Sequence, residues 1–262
     1  MTRKTFHFAI VTAAVAFAFV ASRASAEDWG TLKGKFVFDG KAPPPTAIDV
    51  TKDQEYCGNK GLVNEELVVD ATTGAIANVM LWVRKKDVPI HPDYEKTASE
   101  TVVLDNKGCR FEPHVQGIRV GQTLQLKNSD PVAHNTNVQG RNNQINPLIP
   151  AKSSSDQKID QSEILPALVS CNIHPWMKGR LIVRDNPYFA VSKKDGTFEI
   201  KNVPAGDIEF VVYHEKSGYV TDATLNGQTV KWPKGVMKVT IKAGDEPTDL
   251  GEIKLSSAQF NK

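Results

Sequence analysis

Long apolar runs are missing from this sequence. The longest, Phe8 to Ala21, is too short for a comfortable membrane crossing. Long amphipathic helical patterns are missing too, so strands must carry the fold. No Cys-x-x-Cys-His motif is present for c-type haem. No phosphate-cradling glycine loop and no Gly-x-Ser-x-Gly elbow occur. Charge of one sign is also missing: 32 Lys and Arg face 30 Asp and Glu, with no basic run. That balance gives no reason to expect a nucleic-acid partner. Cysteine is scarce, three in 262 residues, and an odd count leaves one thiol outside any disulfide.

What is present begins with a leader. Arg3 and Lys4 precede the apolar run, and Ala24-Ser25-Ala26 supplies a small-residue cleavage site. Residues 1–26 are therefore expected to be a secretory signal, removed on export to the periplasm or the medium, with no stable membrane insertion afterwards. Cleavage would leave 236 residues with 29 basic and 30 acidic side chains. The rest is globular in composition, 40% hydrophobic and 24% charged. Short apolar stretches recur between Gly, Pro, Asn and Asp, the pattern of an all-β sandwich protein.

The stretch Cys171-Asn172-Ile173-His174-Pro175-Trp176-Met177 concentrates a thiolate, an imidazole and a thioether. A second imidazole, His134, follows Asn128-Ser129-Asp130-Pro131. Two His, one Cys and a weak Met are the donor set of a trigonal type 1 copper site. Thiolate and thioether suit Cu(I), and imidazole suits both oxidation states. Zinc would accept His134, Cys171 and His174 but leaves Met177 without a purpose. With Cys171 assigned to metal, Cys57 and Cys109 are the natural disulfide pair.

Residues 171–177 resemble the ligand loop of the cupredoxins, the blue copper proteins, with the Cys-x2-His-x2-Met spacing of pseudoazurin- and plastocyanin-like members. The run Gly117 to Asn135 resembles the strand, turn and strand that deliver their first His. The resemblance implies a cupredoxin-like Greek-key β-sandwich holding one copper ion. The metal would cycle between Cu(II) and Cu(I), with His134, Cys171 and His174 in the plane and Met177 axial. It implies that Asn135 braces the ligand loop near the sulfur. It also implies a shuttle that passes single electrons between redox proteins, not an enzyme. Three alternatives remain. One is a copper-storing accessory protein. Another is a mononuclear copper enzyme, which needs an extra ligand such as His114. The last is a binding module that has lost its metal. Trp176 is expected to pack the ligand loop down, or with Pro175 to rim an exposed edge of His174.

Beyond Arg184 the character changes. Asp195-Gly196 and Asn226-Gly227 are hairpin signals. The pattern Asp-Gly-x-Phe-x-Ile-x-x-Val-Pro-Ala-Gly resembles the carboxypeptidase-regulatory-like, transthyretin-like sandwich, which implies a small non-catalytic β-unit. The expected division is 1–26 leader, 27–184 cupredoxin-like unit with an N-terminal extension, and 185–262 smaller sandwich. The strand near residues 31–39 fits either unit. Residues 139–163 read as a long polar connection, and His214-Glu215 as an ordinary strand-end pair in preference to a cap on the ligand loop.

Overall fold

The computed structural model describes Met1 and residues 28–261. The leader expected over residues 1–26 lies, Met1 apart, outside the described residues. Among the described residues no helix is long and apolar enough to cross a membrane. The fold is nearly all β, as the strand signals require.

Two strands come first, β1 (Trp29–Asp39) and β2 (Met80–Val83). Eleven follow: β3 (Thr101–Asn106), β4 (Phe111–Glu112), β5 (Val115–Arg119), β6 (Thr123–Asn128), β7 (His134–Asn135), β8 (Asn137–Gln139), β9 (Gln144–Ile145), β10 (Leu148–Ile149), β11 (Ser154–Lys158), β12 (Ala167–Ser170) and β13 (Lys178–Arg184). The last eight are β14 (Phe189–Val191), β15 (Thr197–Pro204), β16 (Gly206–His214), β17 (Gly218–Tyr219), β18 (Asp222–Leu225), β19 (Gln228–Lys231), β20 (Val236–Ile241) and β21 (Thr248–Ser256).

One sandwich joins the sheets β11-β6-β3-β4 and β5-β13-β12-β8-β9, with the short ribbon β7-β10 beside them. Leu104, Phe111, Ile118, Leu124, Leu126, Leu181 and Val183 are buried in its core together with Cys171 and Met177. The alternation in β6 sets its inward face: Leu124 and Leu126 are buried while Gln125 and Lys127 are not. β13 instead reads Leu-Ile-Val without alternation because both its faces are covered. Leu181 and Val183 enter this core, and Ile182 enters a second cluster with Val115, Met80, Trp82 and Val211. That cluster is the seam between the two sandwiches, and Trp82 is the filler of the seam. Gly117 lies there too; a Cβ on it would sit 2.2 Å from the Phe189 ring.

The second sandwich departs from a linear division of the chain at 184/185. β1 pairs with β15 and β21, and β2 pairs with β14 and β16. Both early strands thus lie in sheets with residues from beyond 185, and they complete the second core with Phe36, Leu81, Phe198, Phe210 and Ile253. The cause is strand pairing: β1 stands between β15 and β21, and β2 between β14 and β16, so the later strands form no continuous sheet until the early ones fill these places.

Two local expectations are corrected. Asp195-Gly196 makes a turn, with Gly196 at φ 80°, but not a hairpin. β14 and β15 separate into different sheets, since each has an early strand to pair with. Asn226-Gly227 does close a hairpin, β18 to β19, with Leu225 opposite Gln228. The stretch 139–163 is not one loop. It holds β9, β10 and β11, and β11 is an edge strand against β6. Its Ser-Ser-Asp-Gln-Lys sequence carries no apolar period: the strand alternates exposed and half-buried polar side chains, and polar or charged residues suit an edge because they discourage further pairing.

Candidate metal centre

The turn from β6 into β7 is shaped by Asn128, which is 1% exposed. Its amide donates to the carbonyls of Val132 (2.8 Å) and Ile149 (3.0 Å), and its Oδ1 accepts from the Asp130 N–H. His134 is thereby fixed on β7, opposite Ile149 of β10. Cys171 leaves the end of β12, and Met177 leads into β13. The loop between them closes on itself: the Cys171 N–H donates to the Met177 carbonyl (3.2 Å), and the Met177 N–H to the His174 carbonyl (2.9 Å). Gly179 lets this loop lie against the neighbouring backbone, since a Cβ there would meet the His114 carbonyl oxygen at 2.5 Å.

These elements converge three donors. Cys171 Sγ lies 4.0 Å from His134 Nδ1 and 3.7 Å from His174 Nδ1. All three ligand atoms fall within 4.8 Å of one another. His134 and His174 are 0% exposed and Cys171 2%. Met177, 1% exposed, packs in the same apolar core as Cys171. Asn135 Oδ1 accepts from the Asn172 N–H at 2.7 Å and lies 3.4 Å from Cys171 Sγ.

Both imidazoles carry a carboxylate on the far edge. His134 Nε2 is 3.0 Å from Asp130 Oδ2, and His174 Nε2 is 2.7 Å from Asp53 Oδ2. A carboxylate there keeps a proton on Nε2 and leaves Nδ1 facing the sulfur, the orientation in which Nδ1 can bind a metal ion once it gives up any proton of its own. The two carboxylates were not singled out in the sequence. Asp130 had a legible signal, four residues before His134. Asp53 had none, because it is 121 residues from His174.

Electrostatics follow from this geometry. Burial pushes the Asp130 carboxyl up, but hydrogen bonds from His134, from the Cys109 and Gly108 N–H groups and from Tyr56 hold it down at about 2. Burial pushes His134 down, and its bond to Asp130 together with Cys171 raises it to about 9. Burial pushes the Cys171 thiol up, and hydrogen bonding to His134 and His174 brings it down to about 6. Near neutral pH the metal-free chain therefore holds a thiolate against an imidazolium. A proton occupies the charge balance that a cation would take over.

Cys57 and Cys109 form a disulfide and are fully buried. His114 is outside the donor group; its Nε2 sits 2.6 Å from Glu215 Oε2, and Glu215 also meets Arg180 of β13 at 3.3 Å. Glu215 thus ties the second sandwich to the strand that leaves the ligand loop, more than an ordinary strand-end pair. Trp176 packs the loop down, donating from Nε1 to the Cys109 carbonyl at 3.2 Å. His174 is fully buried and shows no exposed edge for Pro175 and Trp176 to rim; Asp53 bonds its Nε2, and the Trp176 ring lies 5.2 Å from its own.

No protein-family model matches the chain, and no curated protein matches it. Among solved structures, a copper-containing nitrite reductase (NirK) from Thermus scotoductus SA-01 is 25% identical over 32% of this chain and 22% of that one, with a TM-score of 0.29. This chain thus spans only that small share of the reductase. A purple cupredoxin from Nitrosopumilus maritimus is 21% identical over 32% and 99%, with a TM-score of 0.27. A mutant of amicyanin, Cu(I), is 18% identical over 32% and 82%, with a TM-score of 0.29. These neighbours are cupredoxins. At such TM-scores the likeness carries no weight beside the side-chain geometry.

Proposed function

We propose that this chain is an exported copper protein that carries single electrons between redox partners. One observation carries the reading: a cysteine and two histidines, all 0–2% exposed, offer donors within 4.8 Å of one another. His134, Cys171 and His174 would hold the ion, and Met177 is the candidate for a weak thioether contact. Copper bound there supplies a one-electron couple. The chain does the rest. Asp130 and Asp53 orient the imidazoles, Asn135 braces the ligand loop, and the β-frame keeps water out. Rigid, buried donors suit electron transfer because little needs to move when charge arrives. The same burial supports a carrier over an enzyme, since turnover needs an open position, and over a labile store, which needs an open site. His114, engaged by Glu215, is not available in this arrangement as the extra ligand of an enzyme.

The buried disulfide fits an oxidising compartment, in line with the expected leader and with a periplasmic or secreted location. The second sandwich is read as a non-catalytic unit packed on the first. Voltammetry of the copper-loaded chain tests the proposal. A reversible one-electron wave that a chelator removes is expected; copper that binds without any reversible wave would contradict it.

A further inference from the structure

The loop between Ala47 and Val63 meets His174 directly and stands behind His134 through Asp130. Its base is closed by the Ala47–Val63 bridge and by the Ile48 N–H donating to the Leu62 carbonyl at 3.0 Å. Its ends therefore meet, as in a compact Ω-loop. From it Asp53 reaches His174, and the Tyr56 hydroxyl reaches Asp130 Oδ1 at 2.9 Å, behind His134. Its apolar anchorage is one small cluster: Cys57 and Leu62 are buried against Cys109, with Ile48, Val50, Tyr56 and Trp176 half-buried around them. Segments with few buried apolar contacts open locally at low free energy. The covalent tie is the disulfide to Cys109, and it lands on the same turn whose N–H groups bond Asp130.

We propose that the loop 47–63 is a seal over the metal centre. Ions and reagents reach Cys171 and His174 when it lifts, and the Cys57–Cys109 disulfide sets how often it does. For metal ions this rests on the function proposed above; for access to Cys171 it does not.

The test uses the metal-free mature chain and an aromatic disulfide reagent that reports thiol modification by colour. With the disulfide intact, Cys171 is the sole thiol, and in the Cys57→Ser/Cys109→Ser chain it is again the sole thiol. Slow modification is expected for the intact chain, and faster modification by roughly tenfold or more for the double variant. Asp53→Ala and Tyr56→Phe, with the disulfide kept, should each speed it severalfold. They decide the matter should the double variant lose its strand signal in circular dichroism. Equal rates in the intact chain and in every folded variant would overturn the seal. Uptake of Cu(I) from a chelator complex should follow the same order of rates. A chain that protects Cys171 yet binds no copper would refute the proposed function and leave the seal standing.

Discussion

Replacing Asp130 by Asn tests the electrostatic frame of the centre. The carboxylate is 1% exposed and accepts four hydrogen bonds. Oδ1 takes Tyr56 Oη–H (2.9 Å) and the Gly108 N–H (2.7 Å); Oδ2 takes the Cys109 N–H (2.8 Å) and His134 Nε2–H (3.0 Å). An amide keeps one acceptor and turns a donor towards the other pair. The depression of Asp130 from 3.8 to about 2 corresponds to roughly 2–3 kcal/mol in favour of the ionised form. The rise of His134 to about 9 describes much of the same interaction from its other end, so it is counted once. A loss of about 3 kcal/mol lies at the lower end of the range for breaking a buried pair. It should lower the melting temperature of the metal-free chain by about 6–12 °C near neutral pH. The sign of the pH dependence is fixed. Asp130 contributes above pH 3.8, and its contribution is lost as pH falls through about 2. His134 contributes fully below 6.5, and its contribution is lost as pH rises through about 9. The gap between wild type and Asp130→Asn should therefore be widest between about pH 4 and 6.5 and narrow on either side. Thermal melts followed by circular dichroism from pH 3 to 10 would show it. A gap that stays constant from pH 6 to 10 would refute the charged pair.

Removing the disulfide with Cys57→Ser/Cys109→Ser should cost up to about 4 kcal/mol, the chain-entropy value for a separation of 52 residues; urea unfolding measures it, and an unchanged midpoint would contradict it. Met177→Leu should leave copper bound but raise the reduction potential, because a weak donor to the metal is lost; voltammetry decides, and loss of all copper would point to storage instead. Copper uptake at pH 7.5 should release about one proton from the Cys171–His134 pair, rising towards two below pH 6 and falling to none above pH 9; pH-stat titration measures it, and release that does not vary with pH would count against the thiolate–imidazolium state.

The donors were legible because their chemistry is local. Cys171, His174 and Met177 share seven residues, and His134 is marked by the Asn128–Pro131 turn before it. The disulfide followed from cysteine arithmetic. The all-β class followed from apolar stretches punctuated by turn residues. What was not legible depends on long-range pairing. Nothing near Asp53 announces that it meets His174, and nothing near Trp29 or Met80 announces strands that close a sheet with residues beyond 185. β11 was hidden because an edge strand needs no apolar side chains. Asp195-Gly196 carries the residues of a tight turn, but the same turn serves a hairpin or a crossing between sheets. The choice lies with strands elsewhere in the chain.

The most direct measurement is the visible absorption and EPR spectrum of the mature chain after one equivalent of Cu(II), beside Cys171→Ser. An intense thiolate-to-copper band with narrow hyperfine splitting, absent in Cys171→Ser, is the expected result. A weak spectrum with wide splitting, or a strong band that survives in Cys171→Ser, would contradict a copper centre built on His134, Cys171 and His174.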